Sequence, residues 1–256
     1  MTQTATFHDL AGASVFITGG GSGIGASLTE GFLAQGAKVG FVQRSDASDF
    51  AAEMGEKYGN APVFKQCDIT DVAALQGAMA DVAAQNGAIT VLVNNAANDT
   101  RHTLDDYTPD QWDAGMNVNL RPHFFTAQAA APAMRAAGGG AIINFSSISY
   151  MMGNAGYPGY AAAKAGITGL TRGLARELGP HNIRVNALMP GWVLTERQME
   201  LWASPEALAA HLARQCLPEH LAPQDIVDAT LFLASKASRM MTGQAMVVDG
   251  GVAVTG

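Results

Sequence analysis

A chain of 256 residues, 48% of them hydrophobic and 14% charged, is long enough for one large α/β domain with a full core and too apolar for global disorder. Lys and Arg number 15 against 22 Asp and Glu, giving a net charge of −7, and no Lys/Arg run occurs. That balance argues against wrapping nucleic acid or seating on an anionic membrane, so neither partner is expected.

The first ten residues, Met1 to Leu10, carry neither a basic n-region nor an apolar h-region. No apolar run reaches the ~18–20 residues of a membrane span. Cys67 and Cys216 form no CxxC and read as reduced thiols, so a cytoplasmic protein is expected. Strand-like runs then recur at Ser14–Thr18, Lys38–Val42, Pro62–Gln66, Ile89–Val93, Ala141–Phe145, Ile183–Leu188 and Ala245–Asp249. Their near-continuous apolar character is that of strands buried on both faces. Helical spacing fills the intervals, as in Ile24, Leu28, Phe32 and in Val72, Leu75, Met79, Val82. Seven strands alternating with helices predict a doubly wound parallel sheet of the Rossmann type, in one domain spanning 1–256. The stretch Thr195–His211 interrupts the alternation with one extra polar-flanked helix, read as a mobile lid over about 195–215.

Chemistry enters at the first strand–helix junction, Thr18-Gly19-Gly20-Gly21-Ser22-Gly23-Ile24-Gly25. Glycines there let the backbone approach a pyrophosphate, whose charge the helix N-terminus stabilises. Gly19, Gly21, Ser22, Gly23 and Ile24 are the expected contacts. The spacing GxxxGxG is one residue longer than the usual fingerprint. Further on, Tyr160 and Lys164 stand four residues apart on one helical face, and the stripe continues through Ile167, Thr171, Leu174 and Leu178. Ser147 lies thirteen residues before Tyr160, just past a strand. A phenol near pKa 10 is a base at neutral pH only beside a cation, and Lys164 supplies one. Tyr150 and Tyr157 lack a Lys at i+4 and are read as pocket lining, while Ser146 and Ser149 flank Ser147. The six histidines show no HxH or HExxH pattern, and no metal site is expected from His211, Cys216 and His220.

These pieces together resemble the short-chain dehydrogenase/reductase family. The motifs are TGGGSGIG (18–25), CDIT (67–70), NNAA (94–97), NVNL (117–120), NFSS (144–147), YAAAK (160–164) and PGWVLT (190–195), from Ser14 to Gly251. The resemblance implies Tyr160 as general acid/base, Ser147 as the hydrogen-bond partner of the reacting oxygen, and Lys164 as tuner of the phenol and donor to ribose. It gives Asn119 a proton-relay water; its helical spacing from Trp112 and Met116 turns it toward the core. It also places Asp68, Ile69 and Asn95 at the adenosine half of a nicotinamide dinucleotide, and Pro190, Val193 and Thr195 at the carboxamide. A homotetramer follows from the same resemblance, with the alanines of 127–137 and 161–163 as close-packing surfaces. Ala97 departs from the family's Gly. Gln43, at the end of the second predicted strand, stands where NAD-specific members carry an acid, and Arg44 follows it, so NADP is favoured over NAD.

Within the family, the runs Asn98–His102, NVNLR, NFSSIS and GWVLTERQ resemble the bacterial aldose 1-dehydrogenases, the D-xylose 1-dehydrogenases among them. The implied reaction is oxidation of a cyclic aldose at C1 to the aldonolactone. Asn98, Arg101, His102, Ser147, Ser149, Asn154, Tyr160, Trp192, Gln198 and Trp202 are the expected sugar contacts. Amides, Arg and His supply directional partners for hydroxyls, and Trp supplies an apolar surface for the C–H face of the ring. The rival readings are a carbonyl reductase of the same family, acting on a 3-oxoacyl thioester or other ketone, and a catalytically silent cofactor sensor.

Overall fold

The computed structural model describes residues 5–253. The ends of the expected domain, 1–4 and 254–256, lie outside the described residues. Seven strands form one sheet: β1 (Ser14–Thr18), β2 (Lys38–Gln43), β3 (Val63–Gln66), β4 (Val91–Asn94), β5 (Gly140–Phe145), β6 (Ile183–Pro190) and β7 (Ala245–Val248). Their order is β3-β2-β1-β4-β5-β6-β7 and every pairing is parallel. β1 and β4 are buried at every position, as their unbroken apolar runs require. The chain order reverses between β1 and β4, so the helices that follow these two strands lie on opposite faces. That opens a crevice at the carboxyl edge.

The crossovers are α1 (Gly23–Ala34), α2 (Ser48–Tyr58), α3 (Val72–Asn86), α4 (Pro109–Asn119), α5 (Arg121–Ala136), α6 (Ser149–Met152), α7 (Pro158–Leu178), α8 (Glu196–Leu201), α9 (Pro205–Leu212) and α10 (Pro223–Ala234). Two apolar cores result, one on each face. Leu28, Phe32, Phe41, Val227 and Leu231 belong to the first, and Phe16, Leu75, Val82, Met134 and Leu178 to the second. The spacing read for α1 and α3 is thus the spacing of their buried faces. Ala127, Ala130 and Ala131 pack into their own subunit's core. Of the other alanines expected to form close-packing surfaces, Ala136, Ala137 and Ala162 are exposed, and Trp112 and Phe124, on α4 and α5, are exposed apolar residues nearby.

The segment expected to be one extra helix is two, α8 and α9. Ser204 caps α9 by accepting from the Ala207 N–H, and Pro205 occupies its first position. Pro at that point cannot continue α8, but is pre-set to start a new helix. No helix among the described residues is long and apolar enough to cross a membrane. Cys67 and Cys216 are both free thiols.

Candidate active site

A cleft of about 1530 Å³ follows the carboxyl edge, from the glycine loop to α9. Its first end is built by β1 and α1. Gly19 sits at φ +71°, against Ala96. Gly25 lies so close to the Gly19 carbonyl that a Cβ would overlap it, which is why this turn needs glycine. Ser22, the N-cap of α1, makes no capping bond, so its own side chain does not take the first-turn N–H groups. A pyrophosphate fits such a cradle. Asn95 braces it from β4, its amide donating to the carbonyls of Thr18 (3.1 Å) and Gly19 (3.2 Å). Gln43 braces it from β2: its Oε1 accepts the Gly21 N–H at 2.9 Å and its Nε2 donates to Ser45 at 2.8 Å. Arg44, Asp68 and Ile69 line the cleft beside Gln43. Hydrogen bonds from the Thr70 N–H and hydroxyl, with the Arg44 charge beyond them, hold the Asp68 carboxyl below its usual range.

The middle of the cleft is set by a polar spine through the core. Thr126 donates to Asn94 (2.8 Å), Asn94 to Asn144 (2.9 Å), and Asn144 to Thr171 (3.0 Å), tying α5, β4, β5 and α7 together. Ser146 donates to the Lys164 carbonyl at 2.7 Å, locking β5 onto α7. Ser147 Oγ accepts the Ser149 N–H at 3.1 Å and faces the Tyr160 hydroxyl, whose pKa it lowers. One turn along α7, the buried Lys164 donates to the Phe145 carbonyl at 2.8 Å, with Nζ 5.4 Å from the centre of the Tyr160 ring. Ser147, Tyr160 and Lys164 are thereby brought together.

Burial dominates the electrostatics here. It raises the Tyr160 hydroxyl well above its ordinary pKa, and the Asp99 carboxylate raises it further; the Ser147 hydroxyl and the Arg101 charge oppose. Burial lowers the Lys164 ammonium to about 7. Behind the pair, on α5, stands His123, both of whose ring nitrogens are buried without a well-formed hydrogen bond. Burial, and then the Lys164 charge, lower its pKa to about 3.

The far wall joins the loop after β4 to α8. Trp192 Nε1 donates to Gln198 Oε1 at 2.8 Å, and Gln198 Nε2 donates to Asp99 at 3.2 Å. Asp99 also faces Arg197 at 3.7 Å. Arg101 lies between two rings, 4.0 Å from the centre of Tyr157 and 5.1 Å from that of Trp202. Asn98, Ser149, Asn154, Trp192, Gln198 and Trp202 line this part of the cleft, and Pro190, Val193 and Thr195 its floor.

Two expected site residues are not on the cleft wall. Asn119 is buried, with its Oδ1 accepting the Asn98 N–H (2.8 Å) and its Nδ2 donating to the Asn98 carbonyl (3.0 Å). Its amide clamps the loop. His102 turns to the start of α7, where its Nε2 accepts the Gly159 N–H at 3.2 Å. Tyr157 lines the cleft as expected, whereas Tyr150 points its hydroxyl to Met189 and Thr168 instead. Asp99 and Arg197 went unread as site residues, although Asp99 sits inside the Asn98–His102 run. His123 gave no signal beyond its place after NVNL.

A family model described as enoyl-(acyl carrier protein) reductase matches residues 19–253. "Probable galactose dehydrogenase GalD" of Rhizobium meliloti (strain 1021) is 48% identical over 251 residues, covering 97% of this chain and 98% of that protein. "D-xylose 1-dehydrogenase" of Caulobacter vibrioides (strain NA1000 / CB15N) is 47% identical, over 97% of this chain and 99% of that protein. Among solved structures, a blue fluorescent protein from a metagenomic library, in complex with NADPH, superposes with a TM-score of 0.88 at 34% identity, over 96% of this chain and 100% of that one.

Proposed function

The chain belongs to the short-chain dehydrogenase/reductase family of NAD(P)-dependent oxidoreductases, and from that premise we propose that it oxidises a cyclic aldose at C1 to the aldonolactone. The observation that carries the reading is the Tyr160 hydroxyl, facing Ser147 with Lys164 behind it, opening onto a wall of Asp99, Arg101, Gln198 and Trp192. Such a wall offers acceptors, donors and an aromatic face to a polyol ring. The two sugar dehydrogenases at 47–48% identity support the same substrate class.

In this reaction Tyr160 takes the proton of the anomeric hydroxyl while the C1 hydrogen leaves as hydride, so that C1–OH becomes the lactone carbonyl. Ser147 donates to that same oxygen and fixes it against the phenol. When bound, the oxidised nicotinamide supplies the hydride acceptor. While protonated, Lys164 favours the phenolate, and Ser147 and the Arg101 charge favour it too, against the desolvation that opposes it. Turnover therefore rises with pH as the phenol ionises. Gly19, Gly21, Ser22, Gly23 and Ile24 would hold the pyrophosphate, Asp68, Ile69 and Asn95 the adenosine half, and Pro190, Val193 and Thr195 the carboxamide. Asn119 acts on the site through Asn98, and 195–215 acts as the lid.

NADP is the preferred cofactor in this account, because Gln43 is neutral and engaged with Gly21 while Arg44 lines the cleft beside it. NADPH in the related solved structure is consistent with that preference. The single domain works in the cytoplasm as a homotetramer that covers Trp112 and Phe124. A 3-oxoacyl-(acyl-carrier-protein) reductase of Thermotoga maritima, 36% identical over 248 residues, keeps a carbonyl-reductase reading in view. One panel separates the two. Aldoses with NADP and NAD, and 3-oxoacyl thioesters with the reduced cofactors, are followed by nicotinamide absorbance, and the sugar product is identified by NMR. Lactone from at least one aldose is the expected result; thioester reduction without aldose oxidation overturns it.

A further inference from the structure

We infer that His102 is a positioning residue for Tyr160, its imidazole capping the helix that carries the phenol. α7 has no cap of its own. Tyr157, at its N-cap, makes no side-chain capping bond, and Pro158, at the first position, has no N–H. The first N–H of the helix is that of Gly159, one residue before Tyr160, and it donates to His102 Nε2 at 3.2 Å. His102 Nδ1 lies 3.2 Å from the Thr103 carbonyl, which can only accept. The two partners together select one tautomer, with the proton on Nδ1 and the lone pair on Nε2.

The imidazole is held in that pose from three sides. It stacks on Tyr107 with ring centres 3.6 Å apart and planes 8° from parallel. The Tyr107 hydroxyl in turn donates to the Gln111 carbonyl of α4 at 2.9 Å. The His102 backbone N–H donates to the Gly156 carbonyl at 2.8 Å, fixing the residue that carries the ring. Gly159 leaves no slack, since a Cβ there would meet Tyr107 at 2.9 Å and His102 Nε2 at 3.1 Å. The loop after β4, the segment leading into α4 and the first turn of α7 thus meet at one imidazole, and the reacting phenol follows Gly159.

Both ring partners of His102 are backbone groups, so the acceptor at Nε2 is what joins the loop after β4 to the first turn of α7. Without it the Gly159 N–H has no partner at the start of α7, and the turn that carries the phenol is no longer tied to that loop.

The inference rests on Tyr160 as the reacting base, and the test separates the two. The full-length enzyme, with its aldose and cofactor, is assayed as wild type, His102→Phe, His102→Gln and Tyr160→Phe. Phe keeps the stack on Tyr107 and removes the acceptor; Gln supplies a carbonyl acceptor in its place. His102→Phe is expected to lower kcat by about tenfold or more, as a displaced catalytic group does, with KM and cofactor Kd within about threefold. His102→Gln is expected to restore kcat to within about threefold of wild type. An unchanged kcat in His102→Phe, an effect confined to KM, or a kcat in His102→Gln no higher than in His102→Phe overturns the inference. If His102→Phe fails to bind cofactor, kcat of His102→Gln alone decides, near wild type in support and about tenfold or more lower against. Loss of turnover in Tyr160→Phe with no effect in His102→Phe overturns this inference alone, whereas full turnover in Tyr160→Phe overturns the Tyr160 reading and this inference with it.

Discussion

Replacing Lys164 with Met removes a buried charge while keeping most of the stem. In the folded chain burial brings the ammonium from 10.5 to about 7. In the unfolded chain it stays near 10.4. Between those values the unfolded state holds a proton that the folded state has released, so folding grows more favourable as pH rises through that window. The folded-state penalty is complete below about pH 7 and absent above about pH 10.5. At about 1.4 kcal/mol per pH unit, wild type should gain roughly 2–3 kcal/mol on the variant between pH 7 and pH 9. The lost bond to the Phe145 carbonyl also costs the variant stability, but that cost does not depend on pH. Other titrating groups are common to both chains and cancel in the difference. Urea midpoints for the two proteins, at one protein concentration and without cofactor, measure the gap at each pH. A gap that stays constant, or moves in favour of the variant as pH rises, refutes the reasoning. The same variant should lose turnover, since the cation beside the phenol is gone.

Arg44→Ala should move the ratio of kcat/KM for NADP to that for NAD about ten- to hundredfold toward NAD, because a charge-assisted contact is worth roughly 1.5–3 kcal/mol; a parent that strongly prefers NAD, or a ratio unmoved by the substitution, defeats it. Asp99→Asn removes a carboxylate that raises the Tyr160 hydroxyl, so the limb of the kcat profile that reports the phenol should move to lower pH. A limb that stays or moves upward contradicts the assignment. Burial holds the His123 imidazole at a pKa of about 3, against about 6.5 in an unfolded chain, so its stabilising contribution is present above pH 6.5 and is lost as pH falls through about 3. His123→Leu should therefore gain on wild type by roughly 2–3 kcal/mol on going from pH 6.5 to 4.5, at about 1.4 kcal/mol per unit. Acid unfolding curves that keep the same separation at both pH values would contradict this.

The inner strands are legible because strands buried on both faces write themselves as unbroken apolar runs, while the edge strands β3 and β7 are only partly buried, and boundaries differ where pairing, not composition, decides. β4 begins at Val91 rather than Ile89, while β6 continues to Pro190 because Met189 and Pro190 pair with Val247 and Val248. Tyr160, Lys164 and Ser147 could be read because two of them share a helical face and the third ends the neighbouring strand. The spacing also turned Asn119 inward, but which group its amide meets depends on the loop after β4, and no periodicity encodes that. His102 illustrates the same limit. In sequence it sits among sugar-like ligands, yet its partner is 57 positions away at the start of α7. Asp99 gains its importance only when α8 folds over and brings Gln198 and Arg197 to it. Long-range contacts between loops were the part that sequence patterns did not carry.

The central claim is that the Tyr160 oxygen removes the anomeric proton of an aldose. Its most direct test is the single-turnover rate of reduced-cofactor formation in wild type and Tyr160→Phe, each saturated with NADP and with an aldose that the panel shows to be oxidised. Wild type should reduce the cofactor, and Tyr160→Phe should be slower by at least about 10²-fold with cofactor affinity nearly unchanged. A Tyr160→Phe enzyme that oxidises the sugar at close to the wild-type rate would contradict the account.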